Sequence, residues 1–292
     1  MESLSSPGAH FPGFFYIKNY RREHGENPLF NLKAYGKLIQ LEAISPMSGG
    51  VLYFLSGYII RLVRTLLLLA IWKAVFSYSN GAAPGQLVEV LRYTLLAAIL
   101  WEQVDVQTTA SLTFWEGTAF SRFLRPLSVF GQYIAETLGK WIPGLLFFSI
   151  PVLLLSPLLG IDIRPINAPT LFLFIESLII GILSGFAMDF ILTGVMVYLG
   201  NAHYIASQIR AALTLLFSGA LIPLYLMPFG IGRVLGWLPF ATMASAPLSI
   251  YTGTAENVMQ VVLLQLGWCV ILWLTAMYIW KKNRQKLVIF GG

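Results

Sequence analysis

Charge is what this sequence has least of. Only 11% of its 292 residues are charged, against about a quarter in an ordinary soluble domain. Hydrophobic residues make up 57%, and the mean hydropathy is +0.73. A water-soluble fold is excluded, and the chain reads as a polytopic membrane protein. The one cysteine, Cys269, lies in an apolar run, so no intrachain disulfide is possible. The histidines His10, His24 and His203 are too scattered for a metal cluster. No G-x-x-x-x-G-K-[ST] is present, which excludes a P-loop nucleotide site. The absence of G-x-S-x-G and of H-E-x-x-H argues against a lipid hydrolase or an intramembrane protease. The first fifty residues lack a charged start followed by an apolar run, so the first span is expected to act as the insertion signal.

What is present is a series of apolar runs. Residues 1–28 read as a polar cytoplasmic tail, and residues 29–292 as one transmembrane domain. Residues 30–44 have helical period, with Leu32, Tyr35, Leu38 and Ile39 on one side and Lys33 and Lys37 on the other. Glu42 is an exception within the apolar half. Such a segment suits the membrane interface. Pro46 and Gly49-Gly50 then turn the chain inward. Six spans follow, at roughly 57–77, 86–106, 141–159, 170–199, 209–226 and 257–280. Arg61 and Arg64 fall near the start of the first, where arginines more often snorkel to the interface than serve as substrate charges. Glu89 and Arg92 are spaced to pair with each other.

The net charge of +6 is not a nucleic-acid signature. Lys and Arg crowd the tail, the 108–140 connection and the C-terminal segment, whereas the opposite side has only Arg164 and Arg233. The positive-inside rule puts both termini and that connection in the cytoplasm. Thr113 and Glu116 have capping-box spacing, which would start a short surface helix ending near Arg125-Pro126. A second amphipathic piece, 127–140, would lead into the third span. Trp115, Phe120 and Phe123 beside Glu116, Arg122 and Arg125 suit a docking surface, or equally a helix lying on lipid. Glu102, Glu176 and Asp189, acids within the spans, are available for a cationic group or for internal pairing.

The stretch 218–253 is as apolar as a span, yet Pro223, Pro228, Pro239 and Pro247, with Gly230, Gly232 and Gly236, interrupt it. One straight helix cannot carry those breaks. The expectation is a dip back into the membrane before the last span; a loop on the membrane surface is the alternative.

The run SGALIPL, then Leu238-Pro239-Phe240, then Pro247 and Gly253 resembles the C-terminal part of ABC-2 type transporter permeases. Leu124-Arg125-Pro126-Leu127 after a Phe-Trp helix, and Arg61 in the first span, are similar to that family's layout. The resemblance implies an all-α fold with six transmembrane helices, an N-terminal interfacial helix, a cytoplasmic coupling helix and re-entrant helices before the last span. It implies an ABC exporter permease of the bacterial inner membrane, moving an amphipathic or hydrophobic substrate. Residues 113–125, with Thr113, Trp115, Glu116, Arg122, Arg125 and Pro126, would dock the ATPase. Pro223, Pro228, Gly230, Gly232, Pro239 and Phe240 would belong to the outer gate. The chain itself would hold no cofactor and no metal; ATP and Mg would bind two partner ATPase subunits. A second permease copy or a homologue, and membrane lipids, would be the other partners. A proton-coupled carrier using Asp189 or Glu176, and a non-transporting scaffold, are the rival expectations.

Overall fold

The computed structural model describes residues 28–78, 84–199 and 203–290. The expected tail, up to residue 27, lies outside the described residues, as do residues 79–83 of the first turn and 200–202 of a later loop. All regular elements among the described residues are helical.

Helix α1, Pro28–Ile44, packs along α7, Val129–Gly144. Tyr35 meets the Ser128 hydroxyl at 3.3 Å. Gly139 lets the backbone at Ile39 approach, since a Cβ there would fall 2.5 Å from the Ile39 carbonyl oxygen. Glu42 ends 3.9 Å from Lys140, which explains a carboxylate on the packed side of an otherwise apolar face.

A 3-10 turn, Ser45–Gly49, and Gly50 at φ 95° redirect the chain into α2, Val51–Tyr78. Its 28 residues rise about 42 Å, more than a hydrocarbon core of about 30 Å. Because α2 starts earlier than the expected Gly57, Arg61 and Arg64 lie well inside it. Snorkelling by Arg61 is overturned. Helix α3, Pro84–Ile99, breaks at Leu100 and resumes as α4, Trp101–Val104. Arg61 donates to the Ala98 carbonyl at 2.7 Å and pairs with Glu102 at 2.7 Å, its guanidinium 4.1 Å from the Phe148 ring centre. Ser149 donates to the Ile99 carbonyl at 2.7 Å. Carbonyls beside the break thus receive side-chain donors, as they must away from water. The expected Glu89–Arg92 pair does not form; Arg92 instead reaches the Arg164 carbonyl.

Two short helices follow, α5 (Ala110–Trp115) and α6 (Phe120–Phe123). The expected separate piece at 127–140 is corrected. Ser128 caps α7 by accepting from the Gly131 amide at 3.0 Å. The helix then runs on through a π-helical turn, Leu145–Ser149, and α8, Ile150–Leu155, to Leu159. The π turn lies between Pro143 and Pro151, each of which removes a donor from the helical ladder. The 31 residues Val129–Leu159 are longer than the bilayer core requires.

The rest comprises α9 (Ala168–Leu199), α10 (His203–Phe217), α11 (Ile231–Gly236), α12 (Pro239–Met243), α13 (Ser245–Thr252) and α14 (Val258–Phe290). The most extensive packing joins α9 to α14. Phe186, Phe190, Tyr133 and Trp280 form its aromatic centre, and the Trp280 indole donates to the Phe190 carbonyl at 2.8 Å. Among the described residues, four helical segments are long and apolar enough to cross a membrane: Val51–Tyr78, Val129–Leu159, Ala168–Val197 and Val258–Asn283. The expected spans 86–106 and 209–226 correspond to the broken α3–α4 pair and to α10 with the start of the irregular stretch.

Candidate functional site

The 105–128 connection lies at one end of the bundle. Its capping box is absent: Thr113 sits inside α5 and Glu116 is that helix's C-terminal cap. The Thr113 hydroxyl is engaged elsewhere, donating to the Ala110 carbonyl and meeting the Tyr133 hydroxyl at 2.7 Å. Gly117, at φ 73°, turns the chain between α5 and α6. Arg122 is not a surface anchor. It forms an ion pair with Glu136, with side chains only 12% and 7% exposed, and lies 4.3 Å over the Tyr133 ring. Glu136 also accepts from Thr109 at 3.0 Å, so one carboxylate holds both ends of the connection. Gln132, fully buried on α7, donates to the carbonyls of Arg122 and Leu127. The exposed side chains include Trp115, Glu116, Phe120, Leu124 and Arg125, and Pro126 is half-buried. The Trp115 ring packs edge-on against Tyr204 of α10.

Behind this surface lies a second charge cluster. Arg210 of α10 pairs with Asp105 and with Asp189 of α9, both at 2.8 Å, and donates to the Val106 carbonyl at 2.7 Å. The other Asp189 oxygen accepts from the backbone and hydroxyl of Thr108. Asp189 therefore ties the start of the connection to two long helices. Glu102 is likewise engaged, through Arg61. Gly144 leaves the room that the Glu102 carboxylate occupies. Glu176 is brought to neither group; it is exposed on α9. The three intramembrane acids thus do not converge.

At the opposite end, the interrupted stretch is built as the prolines and glycines foretold. Pro228 opens a 3-10 turn and Pro239 opens α12, where a missing N–H costs little. Gly230 and Gly253 take left-handed φ values of 73° and 76°. Phe229 does so too, at φ 58°, and is 96% exposed at the tip. Gly232 has no room for a Cβ against the Leu224 carbonyl. Pro223 precedes the turn Leu224–Leu226, and Phe240 packs 5.9 Å from Phe217. Freed carbonyls are met by neighbouring helices. Tyr93 donates to Gly219 at 2.9 Å, Gln265 to Thr242 at 2.7 Å and to Ser177 at 3.1 Å, and Trp268 to Trp237 at 2.8 Å.

Sequence reasoning missed Glu136, Arg210, Tyr93 and Gln265 as the groups that hold these ends. The available signal was their polarity within apolar runs.

Between the ends, α2, α3 and residues 220–221 enclose a pocket of about 240 Å³. It is lined by Arg61, Arg64 and Thr94 among apolar side chains.

Long apolar helices, a compact polar connection and a broken, internally satisfied stretch before the last helix define a multi-pass helical membrane protein of permease type. The family model for ABC-2 family transporter proteins matches residues 86–291, and the chain belongs to that family. The family is one of membrane subunits and implies an ABC ATPase as partner. A comparison with curated proteins finds no match.

Proposed function

We propose that this chain is the transmembrane subunit of an ATP-driven exporter for amphipathic or hydrophobic molecules. Two permeases, identical or homologous, face each other in a bacterial inner membrane with their termini in the cytoplasm. Two ATPase subunits, carrying the ATP and Mg, seat on the 110–125 segment. The observation that carries this reading is the construction of that segment. It exposes Trp115, Glu116, Phe120 and Arg125 while Thr113, Arg122 and Glu136 fasten it to α7. The Asp105–Arg210–Asp189 cluster fastens it to α9 and α10. A surface held from behind on three long helices transmits a push instead of yielding to it. ATP shifts the equilibrium between inward and outward states by its differential affinity for them. Pro223, Pro228, Gly230, Gly232, Pro239 and Phe240 lie in the part that would open at the far end.

The proton-carrier alternative finds no support in the geometry of Asp189, both of whose oxygens are occupied. The test is co-purification with candidate ABC ATPases and ATP hydrolysis in lipid, using Trp115→Ala and Arg125→Glu. The expected outcome is a complex with the parent chain and at least tenfold weaker association for the variants, the size of a lost interface hot spot. Failure of every ATPase to associate under gentle solubilisation overturns the proposal.

A further inference from the structure

Arg61 and Arg64 are three residues apart on one helix, yet their surroundings differ. Arg61 has Glu102 and two backbone carbonyls. Arg64 has only the face of Trp101, 5.0 Å from its guanidinium, and no hydrogen bond or ion pair among the described residues. It stands at the middle of the 28-residue α2, about 20 Å from either end. Its side chain is exposed on a helix whose exposed neighbours, Ile60, Val63 and Leu67, are apolar. A charge so placed is costly and marks a binding or transport path by default.

The pocket beside it carries a second signal. The Thr94 hydroxyl, on a residue 2% exposed, has no partner, and neither has the Nε of Arg61. Thr94, Arg61 and Arg64 all line the same pocket, with Leu68 and Leu221 on its apolar walls. Glu102 balances one arginine, so the pocket keeps one uncompensated positive charge. It offers that charge and two unused donors in an apolar cleft. Thr94 is too deeply set to be meant for the surface of a second permease copy.

We infer that this pocket binds the acidic headgroup of an anionic amphiphile, a carboxylate or phosphate on an apolar tail. The substrate class therefore carries a negative group, the reverse of what Glu102, Glu176 and Asp189 suggest in the sequence. That the ligand is cargo rests on the exporter reading; that it binds does not.

The probe is a fluorescent sixteen-carbon fatty acid, titrated onto the full chain in phosphatidylcholine nanodiscs, with its methyl ester as control. Saturable binding of the acid is expected, and none of the ester. Arg64→Gln should weaken it roughly tenfold or more and Thr94→Val several-fold, the range for charged and neutral hydrogen bonds. Arg64→Lys should retain most of the binding. Adding phosphatidylglycerol separates the sources: displacement of the probe identifies a membrane-lipid headgroup, and persistence identifies a free amphiphilic acid. Equal binding of acid and ester, or of parent and Arg64→Gln, overturns the inference. So does an Arg64→Gln variant that changes association between copies and leaves probe binding intact. Because no ATPase is present, a negative result leaves the exporter proposal standing, and loss of that proposal leaves the site.

Discussion

The two ends of the bundle solve the same problem with different chemistry. At the connection end, irregular backbone is held by ions, Arg122 with Glu136 and Arg210 with Asp105 and Asp189, alongside the neutral Gln132. At the broken end it is held by neutral donors, Tyr93, Gln265 and Trp268, each aimed at a freed carbonyl. Ion pairs are stiff once formed and costly to separate in an apolar setting. Neutral hydrogen bonds between membrane helices are weaker, averaging about 0.6 kcal/mol. One end is therefore suited to transmit force and the other to rearrange at small cost.

The comparison breaks most sharply at Arg122. Arg122→Glu faces Glu136 with a like charge in a buried site and should cost at least about 3–5 kcal/mol. It should appear as loss of monodisperse protein or a large drop in thermal midpoint. Arg125→Glu, on an exposed neighbour, should change stability by no more than about 0.5 kcal/mol. If the two substitutions destabilise equally, the rigid-end reading fails.

The broken end should respond less. Gln265→Leu leaves the Thr242 and Ser177 carbonyls and the Ser177 hydroxyl without their shared partner. A cost of about 1–2 kcal/mol is expected, with faster proteolysis or hydrogen exchange confined to 239–252. Exchange spreading to α5 and α6 would mean that the ends are not separate. Smaller still at this end is Tyr93→Phe, which removes one hydroxyl from the Gly219 carbonyl and should cost about 0.6 kcal/mol. A shift above about 2 kcal/mol would show the 218–253 backbone to be as rigid as the connection.

Much of this was legible in the sequence. Helix α1, the position of the 105–128 connection and the pieces of the 218–253 stretch follow from local rules. Proline opens a helix because its N–H is not needed there, and glycine turns a chain because it alone tolerates positive φ cheaply. Those rules act within a few residues, so a sequence displays them. The capping box failed for the same reason in reverse. Thr113 and Glu116 had the right spacing, but Thr113 is drawn to Tyr133, twenty residues on.

The partners of the charges were not legible. Nothing local says that Asp189 meets Arg210 and Thr108, that Glu42 meets Lys140, or that Arg61 finds a carboxylate among the described residues and Arg64 does not. Composition and local pattern by themselves determined a helical membrane protein, the order of its main segments and the breaks in 218–253. Only the tertiary structure decided which polar groups those breaks recruit. In an apolar interior each such group must find a partner, and which partner comes within hydrogen-bond reach depends on how the long helices pack.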